Sequence, residues 1–299
     1  MKSLSIPALF LLCLILASPS AFGQDKGVRE PILSGSWYPG SPEKLRTMVS
    51  DYLIKAESPP VRGEIVATVV PHAGYIYSGQ VAAYAYQLIR GSDFKRVVLI
   101  GPSHRVPFRG ISVNQQSAYR TPLGTVPVDQ ALSKRLLGKG AELTWVPQAH
   151  ANEHCLEIQI PFLQMVLADF QIVPILMGQQ DFETCTRLAG ELSQVLDDGT
   201  KSLILASTDL SHFHTDEKAK ALDNRFIEHV KAFDPKGLAN SLSSGQCEAC
   251  GGGPAVVAML AARQRGASRS VVLKYANSGD VSGDRRQVVG YVSAVFVKE

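Results

Sequence analysis

The sequence predicts a single-domain α/β fold in which a central sheet, largely parallel or mixed, has helices on both faces. Several short apolar runs rich in β-branched residues have the composition of strands buried on both faces. Stretches with helical spacing separate these runs, and such alternation is typical of a largely parallel sheet. The chain has 299 residues, and no internal repeat or long linker divides it, which favours one domain.

The predicted elements begin with a capped helix. Ser41 and Pro42 precede apolar residues spaced three to four apart, and Pro59 and Pro60 end this helix. The other predicted helices span residues 79–89, 130–137, 154–167, 183–196, 218–233 and 255–263. The predicted strands span residues 65–70, 96–100, 170–177 and 202–206, with two late strands at 271–275 and 288–297 to close the sheet.

The N-terminus has the layout of a secretory signal peptide over residues 1–23, with Lys2 ahead of an apolar run at 6–17. We expect cleavage near Gly23 and export to the periplasm or the extracellular space, which leaves residues 24–299 as the domain. The apolar run is too short to serve as a stable membrane anchor.

The charge distribution argues against a nucleic-acid partner. The formal net charge is +3, and acidic and basic residues are mixed along the chain without a basic block. The expected partner is a small-molecule or peptide ligand. The sequence carries no indication of the oligomeric state.

Candidate site residues follow three of the predicted buried strands. They are His72, His104, and Asp209 with His212. In an open α/β sheet, ligands bind beyond the carboxyl ends of the strands, so these side chains face one crevice. A lone histidine more often caps a loop, but three at equivalent positions favour a shared site. Neutral imidazole is the commonest metal ligand, so we expect a metal there.

Cys250 is a fourth candidate because three glycines and Pro254 follow it at the start of a predicted helix. The partial positive charge of a helix N-terminus favours thiolate, the form that binds metals. The alternative is a disulfide between Cys247 and Cys250, because an exported protein meets oxidising conditions.

Other patterns are weaker. His150 and His154 are four apart, but Ala151 stands where a zincin-type metalloprotease needs glutamate. His154 and Glu157 form a solvated or packing pair more readily than a pocket pair. The sequence has no Gly-x-Ser-x-Gly motif, which counts against an α/β-hydrolase.

Taken in order, the motifs resemble those of the Memo family, known in prokaryotes as AmmeMemoRadiSam system protein B. The matching segments are residues 35–39, 71–75, 101–104, 119–124, 153–157, 207–212, 250–251, 278–280 and 289–291. The resemblance implies a fold similar to class III extradiol dioxygenases of the LigB type. It also implies that His72, His104 and Cys250 are ligands of iron or copper, with Asp209 and His212 as catalytic pocket residues beside the metal.

Two functions are compatible with this resemblance. The first is a redox-active metalloprotein, since two histidines with an anionic third ligand resemble non-haem iron oxygenase sites. In such a metalloprotein, His212 would act as acid or base, and Asp209 would orient His212. The second is a binding module that holds a peptide, a small molecule or a metal without turnover. Fold alone does not decide between an enzyme and a binding module.

Overall fold

The computed structural model describes residues 27–58, 60–139 and 142–299. The expected signal peptide, residues 1–23, lies outside the described residues. The strands are β1 (Val28–Arg29), β2 (Glu64–Val70), β3 (Arg96–Pro102), β4 (Ile111–Val113), β5 (Ala118–Thr121), β6 (Gly124–Pro127), β7 (Leu143–Thr144), β8 (Gln171–Met177), β9 (Ser202–Ser207), β10 (His212–His214), β11 (Arg269–Asn277) and β12 (Val288–Lys298).

The α-helices alternate with these strands along much of the chain. They are α1 (Pro42–Lys55), α2 (Tyr75–Leu88), α3 (Gln130–Leu137), α4 (Pro147–Ala151), α5 (Ile160–Val166), α6 (Phe182–Val195), α7 (Asp216–Lys231), α8 (Pro235–Ser243), α9 (Gly252–Gln264) and α10 (Gly279–Ser282). A 3₁₀ turn spans Glu157–Gln159. Within the described ranges, no helix combines the length and the hydropathy needed to cross a bilayer.

The main sheet is mixed and has the strand order β10-β12-β2-β9-β3-β8-β4-β7, with β11 beside β12. Its centre, β2-β9-β3-β8, is parallel. The neighbours β12 and β4 run antiparallel to β2 and β8. This confirms the α/β prediction. A small second sheet, β1-β5-β6, was not predicted because its strands have only two to four residues.

Helices cover both faces of the sheet, which explains why its central strands are continuously apolar. In β9, Ile204 and Ala206 belong to the core beneath α6 and α9. Leu203 and Leu205 belong to the opposite core, beneath α1, α2 and α5. Successive strand residues point to opposite faces, so each face needs its own apolar set.

One predicted helix is wrong in a way that concerns the site. The interval 154–167 contains turns, the 3₁₀ segment and then the short helix α5. The backbone N–H groups of His154 and Cys155 donate to the Glu153 carboxylate, at 3.0 and 3.2 Å. A side-chain acceptor of this kind competes with helical hydrogen bonding. The segment is therefore irregular at the point where it reaches the loops after β2 and β3.

Candidate metal centre

His72 and His104 meet because their parent strands are nearly adjacent in the sheet. The parallel strand β9 lies between β2 and β3, so all three strands end at one edge. The imidazole centroids of His72 and His104 are 5.1 Å apart, with the rings nearly perpendicular. The structure thus brings together the two histidines that the sequence predicted to share a crevice.

His154 completes a group of three histidines. Its ring centroid lies 5.3 Å from that of His72 and 4.4 Å from that of His104. One ligand nitrogen from each of the three rings falls within 4.8 Å of the others, as a metal ion requires. Sequence reasoning assigned His154 to a packing pair with Glu157 and missed this position. The available signal was the Glu153-His154 pair within the matching motifs.

Glu157 does not pair with His154, the partner predicted from the sequence. Its buried carboxylate accepts hydrogen bonds from the Arg29 guanidinium at 2.6 Å and from the Tyr38 hydroxyl at 2.7 Å. Glu157 also accepts the N–H of Leu33 at 2.9 Å. These bonds attach the segment that carries Trp37, whose ring packs 4.7 Å from that of His154.

Cys250 lies against His72 just ahead of α9, as the sequence predicted. Its Sγ is 3.1 Å from His72 Nε2 and accepts the Asp209 N–H at 3.3 Å. The expected thiolate is not favoured in the metal-free chain, because burial and then the Asp209 carboxylate raise the pKa of Cys250. A metal ion would therefore have to displace a proton from this sulfur.

The structure holds Cys247 and Cys250 as separate thiols. All four cysteines in the described ranges are free. Cys247 is 1% exposed and packs in the apolar core beneath the sheet. The Cys250 sulfur instead faces the histidines.

Asp209 and His212 lie beside the histidines with different tasks. Asp209 Oδ1 accepts the backbone N–H of His72 at 2.7 Å, and Oδ2 lies 4.0 Å from His72 Nε2. Burial raises the pKa of this carboxyl. The His212 ring is held by the Leu210 carbonyl, 2.8 Å from Nδ1, instead of by Asp209. Since a carbonyl only accepts, His212 Nδ1 carries a proton in this contact.

Burial keeps the clustered imidazoles in the form that binds metals. It lowers the pKa of His72 well below the ordinary value, and the nearby His104 adds to this effect. Burial and then His72 lower the pKa of His154 to about 3. Burial alone would raise the pKa of Glu153, but hydrogen bonds from His104 bring it to about 2. The centre thus combines neutral rings of His72 and His154 with the ionised carboxylate of Glu153 at neutral pH.

Two cavities reach residues of the cluster, and another lies against the loop that follows His72. One of about 750 Å³ is lined by His212, Cys247 and Cys250 among others. A second, of about 640 Å³, has aromatic walls that include Trp37, Tyr77, Phe213 and Tyr291. A third, of about 530 Å³, reaches His154 beside Trp37 and Arg105. A ligand can therefore approach His154 and Cys250 from solvent.

The donor set fits a borderline or soft transition metal. Imidazole nitrogens suit iron, copper and zinc, and a thiolate adds preference for softer ions. His104, Glu153 and Cys155 form a second close group, but hydrogen bonds account for their close approach without a metal ion. Its His104–Glu153 contact is a hydrogen bond of 2.9 Å, and the Cys155 thiol donates to the Pro102 carbonyl.

Comparisons with known proteins agree on one family. A family model described as "Memo-like protein" matches residues 29–295. The chain is 36% identical over 281 residues to a MEMO1 family protein of Methanopyrus kandleri, covering 90% of this chain and 98% of that protein. It is 38% identical over 272 residues to a MEMO1 family protein of Methanosarcina acetivorans, covering 90% of this chain and 98% of that protein.

One solved structure is similar to this chain in fold but has little sequence similarity to it. It is the crystal structure of uncharacterized protein JW3007 from Escherichia coli K12, with a TM-score of 0.51 and 15% sequence identity. The match covers 78% of this chain and 99% of that chain.

Proposed function

The chain belongs to the Memo-like protein family, and from this premise we propose that it binds one redox-active metal ion, iron or copper, at the histidine pocket. One observation carries the proposal. Ligand nitrogens of His72, His104 and His154 lie within 4.8 Å of one another, and Cys250 Sγ is 3.1 Å from His72 Nε2. His72, His104 and Cys250 are the proposed ligands, with His154 as a further nitrogen donor.

The bound ion would supply one-electron chemistry and coordination positions for a substrate. The chain's own residues contribute binding and proton handling. His212 lines the same cavity as Cys250, and the Leu210 carbonyl occupies Nδ1, so Nε2 is the nitrogen placed to exchange a proton with a bound ligand. Asp209 holds the His72 loop through the backbone N–H, which positions one ligand of the metal.

A second function, a binding module without turnover, is favoured by the cavity with aromatic walls. Phe213 is 69% exposed, and its backbone adopts a φ of 60°, which is costly for a bulky residue. Ile76 and Tyr77 are also exposed and line the same cavity, and a patch of exposed apolar side chains marks a binding surface. Its ligand would be a small molecule or a peptide that packs against Trp37 and Tyr77.

Oxygen uptake with a panel of catechols separates the two functions. The redox proposal expects consumption by metal-loaded protein and none by chelated protein. If neither form consumes oxygen with any compound, only the binding module is left.

The metal proposal is tested by elemental analysis of the purified chain. We expect near-stoichiometric iron or copper, and a loss of at least tenfold in metal content for His72→Ala, because that change removes a central ligand. His229→Ala is the control, since His229 contacts Ser241 on α8, away from the cluster. Full metal content in His72→Ala would refute the assignment.

A further inference from the structure

The ring nitrogens of His72 and His104 that face away from the cluster each contact a polar side chain. His72 Nδ1 lies 3.0 Å from Ser207 Oγ, and His104 Nδ1 lies 2.9 Å from Glu153 Oε1. A neutral imidazole has one protonated nitrogen, and only the other nitrogen can bind a metal. The partner at Nδ1 therefore decides whether Nε2 is available.

A chain of hydrogen bonds determines the proton position on Ser207. Gln159 Nε2 lies 2.9 Å from the Pro71 carbonyl, which only accepts, so the amide nitrogen must be on this side. The Tyr86 hydroxyl donates to Gln159 Oε1 at 2.7 Å, which agrees with this orientation. The second amide hydrogen of Gln159 is then donated to Ser207 Oγ, at 2.7 Å.

The single hydroxyl proton of Ser207 is also committed. It is donated to the Cys155 carbonyl at 2.7 Å. Ser207 Oγ can therefore only accept from His72, so the proton of His72 lies on Nδ1. The Nε2 lone pair of His72 then points toward Cys250 Sγ, 3.1 Å away.

Glu153 imposes the same state on His104 by a different route. Glu153 Oε1 already accepts the backbone N–H groups of His154 and Cys155. The same oxygen therefore acts as an acceptor toward His104, and the 2.9 Å contact places a proton on His104 Nδ1. Glu153 Oε2 also accepts the His104 backbone N–H at 2.7 Å. Glu153 Oε1 further lies 3.1 Å from His154 Nδ1, although this contact is not aligned as a hydrogen bond. Glu153 itself is 2% exposed, so water does not compete for it.

We propose that the segment 153–159 is a ligand-orienting element that holds both histidines with the proton on Nδ1. Glu153 acts on His104 directly, and Gln159 acts on His72 through Ser207. Glu153, Gln159 and Ser207 are positioning residues, and this role rests on the proposed metal function. The proposal explains why the segment is irregular: its two ends reach two different histidines, which a continuous helix would not allow.

The proton positions are measurable in the metal-free chain by long-range ¹H–¹⁵N correlation NMR of the histidine rings. We expect Nδ1 to be protonated in both His72 and His104 of the wild type. Ser207→Ala removes the acceptor for His72, so that ring alone is expected to change to the Nε2–H form. Glu153→Ala admits water beside His104, and that ring alone is expected to lose its fixed form. Each variant is thus the control for the other.

Metal affinity is the second readout, with cobalt(II) as the probe in competition with a chromophoric chelator. We expect each variant to bind cobalt(II) about 10–100-fold more weakly than the wild type. Nε2–H rings in the wild type, or an unchanged His72 ring and unchanged affinity in Ser207→Ala, would overturn the proposal. If Glu153→Ala fails to fold, the wild type and Ser207→Ala still decide it. The expected ring forms without any cobalt(II), iron or copper binding would instead refute the metal function alone.

Discussion

At the scale of single residues, Cys250 shows which of two electrostatic effects dominates. A helix N-terminus stabilises a negative charge by roughly 0.3–1 kcal/mol, which is less than one pKa unit. Burial disfavours the charged form by up to several pKa units. The thiol precedes α9 but is enclosed by Asp209 and Thr208, and its pKa is raised. Helix position alone therefore does not predict a thiolate.

His150 provides a pH prediction at a residue away from the cluster. Its ring nitrogens contact Ser112 Oγ at 3.0 Å and the Tyr119 hydroxyl at 3.4 Å. Burial lowers its pKa from 6.5 to about 3. Between these values the unfolded chain binds more protons than the folded chain, so stability present above pH 6.5 is lost as the pH falls. The expected slope is up to about 1.4 kcal/mol per pH unit.

Urea unfolding of the chain between pH 4 and 7 measures this slope. His150→Phe removes the titrating group and should reduce the pH dependence of the free energy of unfolding. Tyr119→Phe removes a contact of the same ring but leaves the imidazole, so its slope should match that of the wild type. Equal slopes for wild type and His150→Phe would contradict this explanation.

At the scale of elements, the contact between the end of β9 and the start of α9 sets the position of the Cys250 sulfur. Gly251 packs so closely that an added Cβ would lie 2.4 Å from the Ser207 carbonyl oxygen. Its N–H donates to the Thr208 hydroxyl at 2.9 Å. The start of α9 is thereby held against the end of β9, and Cys250 is held against His72.

Gly251→Ala should separate these two elements. Relief of the clash requires a backbone shift, with a loss of stability of about 1–3 kcal/mol and weaker cobalt(II) binding as Cys250 moves. Gly190→Ala in α6 is the matched control, because its added Cβ meets no atom within 4 Å. That change should stabilise the helix by roughly 0.5–1 kcal/mol. Unaltered metal affinity in Gly251→Ala would show that the contact between β9 and α9 does not position the sulfur.

At the scale of the whole molecule, the site joins elements that are distant in sequence. His72 follows β2, His104 follows β3, His154 precedes α5 and Cys250 leads into α9. The cluster therefore exists only when both faces of the sheet are assembled. A ligand that binds only this folded arrangement stabilises the entire chain.

Metal removal should therefore lower the melting temperature of the whole domain. A metal at one hundred times its Kd adds about 2.7 kcal/mol to the free energy of unfolding. Thermal unfolding followed by circular dichroism, with and without a chelator, measures the effect. His72→Ala should show little dependence on the chelator. If neither added metal nor chelator changes the melting temperature of the wild type, a metal site formed on folding is contradicted.

The sequence by itself determined the α/β class, the central strands and the placement of His72 and His104 near one edge. Buried parallel strands require continuous apolar runs, and the residues that follow such runs must meet at the carboxyl edge. It failed at 154–167, where helical spacing suggested a helix but side-chain acceptors took the backbone N–H groups.

Only the tertiary structure decided the role of His154, the state of the Cys250 sulfur and the proton positions on the two rings. These depend on contacts between residues far apart in the chain, such as His72 with Ser207 and His104 with Glu153. No local pattern encodes such contacts. Hydrogen-bond partners and burial set proton positions and pKa values, and both exist only once the layers have packed.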